Sequence, residues 1–189
     1  MPQSSEATIR PLGRPGDLGW VVMAHGERYA AEFGWDTSFE ALVSRIVADY
    51  AESADPDRDG AWVAELRGRR VGCVFCVGGD QPGECRLRIL LVDPVARGRA
   101  LGARLVACAI AFAREAGYTR MRLWTNHPLA AARAIYLRHG FRLVAQEPHH
   151  SFGADLVGQT YELDLVEPPP PDPPPPAAGR LRAQTAQNS

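Results

Sequence analysis

The spacing of apolar side chains changes several times along this chain, and each change predicts a new element. A short extended run at 8–12 (TIRPL) comes first. Asp17 then stands where a helix N-cap belongs, ahead of Leu18, Trp20, Val21 and Val22. Gly26 interrupts that helix, and an aromatic segment follows at 29–35 (YAAEFGW). Phe39, Leu42, Val43, Ile46, Val47 and Tyr50 repeat at helical spacing behind Asp36 or Thr37 as cap, which predicts an amphipathic helix. The polar turn 55–60 leads into two apolar runs, 61–66 and 71–77, whose separation by Arg67-Gly68-Arg69-Arg70 reads as a hairpin. A loop at 78–83 precedes the next strand.

The pattern is densest at 87–105 (LRILLVDPVARGRALGARL). Its first part is too short for a buried helix and rich enough in Leu, Ile and Val for a buried strand. Pro94 cannot donate to a ladder, so Asp93-Pro94 ends the strand. Leu101, Leu105, Cys108 and Phe112 then recur at helical spacing up to Gly117. A strand at 121–125 follows, then a helix carrying Leu129, Ala132 and Tyr136 on one face with Ile135 beside them. Gly140 is placed to end that helix in the left-handed region. Strands at 141–144 and 160–165 complete the order β-α-α-β-β-β-α-β-α-β-β, an α+β domain. The central strand and its successor flank a crossover helix, which predicts a parallel pair with a right-handed connection. Ligands favour the carboxyl ends of such strands, here near Val92 and Thr125.

Composition narrows the partners. The 189 residues carry 21 basic and 22 acidic side chains, a net charge of −1, which gives no electrostatic case for nucleic acid or an anionic membrane. No apolar run is long enough to span a bilayer, and 1–7 is polar without a signal-like pattern, so a cytoplasmic protein is expected. Cys73, Cys76, Cys85 and Cys108 lie in apolar segments and read as small buried hydrophobes of a reducing compartment. Cys73 and Cys76 have C-x-x-C spacing, but on a strand they face opposite sides, and no metal site is expected. From 167 the chain reads EPPPPDPPPP and then loses all apolar period, so residues 1–166 are expected to form the domain and 167–189 a Pro-rich disordered tail.

The turn after Val92 carries the clearest chemistry. A strand, a small-residue turn and a helix start together aim free backbone amides and the positive end of a helix at one point, a natural site for phosphate. Gly98, Ala100 and Gly102 keep the approach free of large side chains, while Arg97 and Arg99 add positive charge. The bland alternative is a tight turn with two solvated arginines. Neither the Walker loop nor the dinucleotide Gly-x-Gly-x-x-Gly fits these residues.

Arg97-x-x-Ala100-x-Gly102 after Leu90-Leu91-Val92 resembles the pyrophosphate signature of the GNAT superfamily of coenzyme A-dependent N-acetyltransferases, with Ala100 where Gly is usual. Asn126-x-x-x-Ala130 followed by Ile135-Tyr136-x-x-x-Gly140-Phe141 is similar to that family's second block. The likeness covers roughly 7–166, and the segments YAAEFGWD and PHHSFGADLVGQTYELDL resemble the acetyltransferase domain fused to MarR-type regulators in bacteria. With the first strand at the start of the chain, no DNA-binding module is expected ahead of it.

The resemblance implies a GNAT-type mixed sheet flanked by helices, with acetyl-coenzyme A as co-substrate. Backbone groups of Leu91 and Val92 would pair with the pantetheine arm, and the amides of Arg97, Gly98, Arg99, Ala100, Leu101, Gly102 and Ala103 would hold the pyrophosphate. Asn126 is a candidate contact to the arm, or else a turn-forming residue before His127-Pro128. Tyr136 takes the position of the general acid that protonates the departing thiolate, or else packs in the core. Candidate bases are Glu84, Glu32 and the pair His149 and His150. Tyr29, Trp35 and Phe152 could wall an acceptor pocket, with Glu32 or Asp155 attracting an ammonium group and His149 and His150 nearby on a loop, 149–159. The acceptor is expected to be the amine of a small molecule or peptide, and the protein a monomer or homodimer. The competing reading is a non-catalytic acyl-coenzyme A sensor on the same fold.

Overall fold

In the computed structural model, which describes residues 6–166, the apolar runs assemble into one seven-stranded sheet of order β1-β2-β3-β4-β5-β7-β6. The strands are β1 (Thr8–Pro11), β2 (Gly60–Leu66), β3 (Arg69–Gly78), β4 (Glu84–Val92), β5 (Arg120–Asn126), β6 (Arg142–Ser151) and β7 (Ala154–Asp164). They are joined by helices α1 (Asp17–Phe33), α2 (Thr37–Ser53), α3 (Leu101–Glu115) and α4 (Ala130–Arg138), in the order the periodicity predicts. The predicted tail at 167–189 lies outside the described residues.

The helices cover both faces. Leu101, Leu105, Val106 and Ala109 of α3 and Tyr136 of α4 pack with Leu66, Val74, Cys85, Leu87 and Met121 on one side. Val21 and Ala24 of α1 and Val43 and Val47 of α2 pack with Cys73, Phe75 and Leu91 on the other. Cys73 and Cys76 thus point to opposite faces, as strand geometry requires. Cys108 is only half-buried, because it sits toward the outer side of α3 rather than in the core. All strand pairs are antiparallel except β4 with β5, the predicted parallel pair around a crossover helix.

Three local expectations need correction. Gly26 does not break α1; a side chain there would meet the Glu40 carboxylate at 2.7 Å, so the glycine lets α2 lie close while the helix runs on to Gly34, which ends it at φ 70°. Asp17 is not the N-cap, a position held by Gly16 at φ 86°. And 149–159 is not a loop but the distal part of a long hairpin, β6–β7, turning at Phe152 (φ 60°) and Gly153 (φ 75°). The hairpin β2–β3 turns the same way at Arg67 (φ 52°) and Gly68 (φ 74°). The exposed outer strand β6 lacks the hydrophobic alternation that would have announced it.

Asp17 is fully buried and ties the start of α1 to the sheet. Its carboxylate accepts from Arg10 at 2.8 and 3.0 Å, from Arg70 Nε at 2.7 Å, and from the amides of Gly13 and Arg14 at 3.1 and 2.9 Å. The Arg10 guanidinium, with these other donors, holds the carboxyl well below its ordinary range. Asp17→Ala strands two cations at the core edge and should lower stability by about 3–5 kcal/mol, read from urea unfolding at pH 7. A loss below about 1 kcal/mol would show that the network is dispensable.

Candidate active site

β4 departs from regular geometry at one place. Ile89 and Leu90 together stand opposite the single residue Val74, and Ile89 takes φ 43°. Such a bulge flips the side-chain parity of a strand. Cys85 and Leu87 before it face α3, and so do Leu90 and Val92 after it, whereas Ile89 and Leu91 face α1 and α2. Pairing with β5 ends at Arg86 opposite Arg122, so from Leu87 onward β4 has no strand ladder on that side. β5 keeps its partner β7 along its whole length, up to Asn126 opposite Gly158. The two central strands therefore part like the arms of a V.

Between these arms lies a cavity of about 340 Å³. Its floor includes Ile89 and Leu90 from β4 and Thr125 and Asn126 from β5, while Tyr136 of α4 enters from one side. Tyr29, Trp35, Phe39 and Leu42 from α1, α2 and their connection form an aromatic and aliphatic wall. Trp35 is 5.0 Å from Phe152 and 4.8 Å from Phe39, ring centre to ring centre, and Tyr29 is 4.5 Å from Phe39. Tyr136 is also a core residue, 5.8 Å from Phe141 in an edge contact, and burial pushes its phenol above the ordinary range so that it stays protonated at neutral pH.

Beyond the V, Leu91 is buried and Val92 half-buried, opposite Cys73 and Gly72. Asp93 caps a single 3₁₀ turn, Pro94–Ala96, by accepting from the Val95 amide at 3.0 Å. Gly98 follows at φ 78°, with open space where a side chain would be. Ala100 caps α3 from the left-handed region at φ 54°. The Arg104 amide is the first to bond within the helix, to Ala100 O at 3.0 Å, which leaves the amides of Leu101, Gly102 and Ala103 without a helical acceptor. Gly102 serves packing rather than approach: a side chain there would meet Ile135 of α4 at 2.6 Å. Arg97 and Arg99 are exposed; Arg97 is paired with Glu32, and Arg28 with Asp93 at 2.7 Å, so α1 is pinned over the end of β4.

The other predicted residues are dispersed. Glu84 is buried at the opposite end of β4 and lines a second cavity of about 410 Å³ with Asp59 and Tyr118. Glu32 faces Arg97, and Asp155 faces His150 Nδ1 at 2.7 Å on the outer hairpin, so neither carboxylate lines the V. Phe152 packs behind Trp35 rather than on the cavity. His149 links the hairpin to the site: its Nε2 lies 2.8 Å from Asn126 Oδ1 and its Nδ1 2.9 Å from Ser151 Oγ. Asn126 is buried, and its main-chain carbonyl accepts from the Leu129 amide at 3.0 Å in the turn that leads to α4.

Sequence reasoning missed His25. It is 1% exposed, lines the cavity, and its Nδ1–H donates to Val21 O at 2.7 Å. The spacing of Val21, Ala24 and His25 on one helix face was the available signal.

Comparison with known proteins agrees with this geometry. The family described as "Acetyltransferase (GNAT) family" matches residues 19–141. The chain belongs to that family. An uncharacterised N-acetyltransferase of Schizosaccharomyces pombe is 29% identical over 150 residues, covering 79% of this chain and 90% of its own length. Rat N-acetyltransferase 8B is 31% identical over 117 residues, or 59% of this GNAT chain, which spans only 53% of the rat protein. Salmonella typhimurium YncA, an acetyltransferase solved with its cofactor acetyl-CoA, superposes with a TM-score of 0.67 at 21% identity, covering 89% of this chain and 99% of that one. The seven-stranded mixed sheet with its four helices is thus the acyl-CoA N-acyltransferase fold, and the chain is a GNAT N-acetyltransferase. Among the described residues no helix is long and apolar enough to cross a membrane.

Two measurements follow from the site. Burial lowers the His25 ring from 6.5 to about 4. The unfolded chain takes up this proton as pH falls below about 6.5 and the folded one does not until about 4, so stability is full above that window and lost on descending through it. About 2.5 kcal/mol should disappear between pH 7 and 4.5, and His25→Asn should remove that share of the acid slope in urea melts. Ala100→Gly should raise stability by about 1 kcal/mol by relieving the left-handed alanine, and a fall in melting temperature would refute the strain.

Proposed function

We propose that the protein transfers the acetyl group of acetyl-coenzyme A to an amine held in the V between β4 and β5. The observation that carries this is the parting of the two strands beside Tyr136, with unpaired α3 amides at the end of the same strand. The amides of Leu101, Gly102 and Ala103 hold the diphosphate at the positive end of α3, and Arg97, Gly98, Arg99 and Ala100 shape its approach. Free main-chain groups of Leu91 and Val92 align the pantetheine arm as an added strand on the open side of β4. Asn126, fixed by His149, borders the arm from β5.

Acetyl-coenzyme A supplies the thioester, whose carbonyl carbon the neutral amine attacks. The new C–N bond forms as the C–S bond breaks, the Tyr136 hydroxyl gives its proton to the leaving sulfur, and the proton the nitrogen then sheds returns through water to the phenolate. The aromatic wall of Tyr29, Trp35 and Phe39 excludes bulk water from the apolar part of the acceptor. No carboxylate lines this cavity, so the amine loses its proton to water rather than directly to Glu32 or Glu84.

The test is release of free coenzyme A thiol with a panel of amines. Tyr136→Phe should lower kcat roughly a hundredfold while leaving the affinity for acetyl-coenzyme A within about twofold. An unchanged kcat would remove Tyr136 from the chemistry. Turnover absent from the parent protein, despite coenzyme A binding, would favour the sensor reading.

A further inference from the structure

The cavity in the V carries an unusual charge pattern. Three arginines, Arg86, Arg88 and Arg122, line it, and no Asp or Glu does. Arg86 and Arg122 stand directly opposite one another where the β4–β5 ladder ends, a pairing that is repulsive in itself. Each is neutralised from outside: Arg86 by Asp80, and Arg122 by Glu162 at 3.4 Å.

Arg88 is different. It lies two residues further along β4, on the same face as Arg86 and immediately before the bulge at Ile89. It is half-buried, and among the described residues no carboxylate is within ion-pair distance of its guanidinium. The acids of its surroundings, Asp49, Asp59 and Glu84, line the second cavity, which Arg88 also borders. Burial, and next the neighbouring Arg86, lower its affinity for a proton more than the attraction of Asp49 raises it, so the cation gains from a closer anion.

We infer that the acceptor carries a carboxylate as well as its amine, and that Arg88 binds that carboxylate. This rests on the reading of the V as an acetyltransferase site. A guanidinium fork matches a carboxylate in two parallel hydrogen bonds, which fixes orientation as well as charge. With the carboxylate at Arg88, the amine on the adjacent carbon is held in the V that Tyr136 also lines, and the apolar body lies against Trp35, Phe39 and Leu42. Pairing with Arg88 takes up the charge of the acceptor's carboxylate, which would otherwise favour the ammonium form of the neighbouring amine. An amino acid with an apolar or aromatic side chain combines these three features; a polyamine has the wrong charge at both ends.

Calorimetric titration of the coenzyme A-loaded protein with L-phenylalanine, L-phenylalaninamide and phenethylamine separates carboxylate recognition from turnover. The amino acid should bind at least about tenfold more tightly than the other two. Arg88→Gln should bring that ratio to within about twofold of unity, Arg88→Lys should keep part of it, and Arg45→Gln on the exposed side of α2 should keep all of it. Equal binding of acid and amide by the parent protein, or a preference that survives Arg88→Gln, overturns the inference. Should Arg88→Gln not fold, the parent ratio and Arg88→Lys decide alone. A carboxylate preference without acetylation of any amine upholds the Arg88 site and removes the transferase reading. Acetylation of phenethylamine as efficiently as phenylalanine upholds the transferase and removes the Arg88 site.

Discussion

The loss of hydrogen bonding between β4 and β5 after Arg86 and Arg122 is the constraint on which the rest depends. A sheet interior normally pairs every amide, and leaving a row of them open in mid-sheet is stable only where something else meets them. Here the bulge at Ile89 turns the strand away and exchanges its two faces, so that the arginine-bearing half and the apolar half of β4 open onto one cavity. Helix α1 is clamped over the open end by Arg28–Asp93 and Glu32–Arg97, and α3 starts where β4 stops. Each of these arrangements loses its purpose if the strands stay zipped.

The electrostatics of the site divide along the same line. At the far end of β4, free amides and the dipole of α3 favour a dianionic diphosphate. At the near end, among the described residues, the unpaired guanidinium is that of Arg88, since Arg86 and Arg122 are met by Asp80 and Glu162. The phenol between them stays protonated because it is buried, not because a partner holds its proton. The cavity between these two ends is walled by aromatic and aliphatic side chains, with the buried phenol of Tyr136 on its border.

Much of this was legible in the chain. Period-two and period-3.6 runs placed every strand and helix in order, because most elements present one face to a core and one to water. The turn after Val92 was readable because its chemistry depends on backbone and small residues close in sequence. What stayed hidden was whatever depends on contacts distant in sequence. Gly26 looked like a break because Glu40, which fills the space beside it, belongs to another helix. The β6–β7 hairpin was hidden because an outer strand exposed on both faces carries no alternation. His25 gave no signal beyond its helical phase, and the isolation of Arg88 depended on which acids the fold brings to its neighbours.

The aromatic wall has one further consequence. Tyr29, Trp35, Phe39 and Leu42 all come from one short stretch of chain, the end of α1 through the first half of α2, whereas Tyr136 and the turn before α3 belong to other elements on the opposite layer. The apolar wall of the V is thus drawn from one block of sequence, while Arg88 and Tyr136 reach the same cavity from β4 and α4. Substitutions within the fourteen positions 29–42 can therefore reshape that wall while leaving Arg88, Tyr136 and the start of α3 as they are.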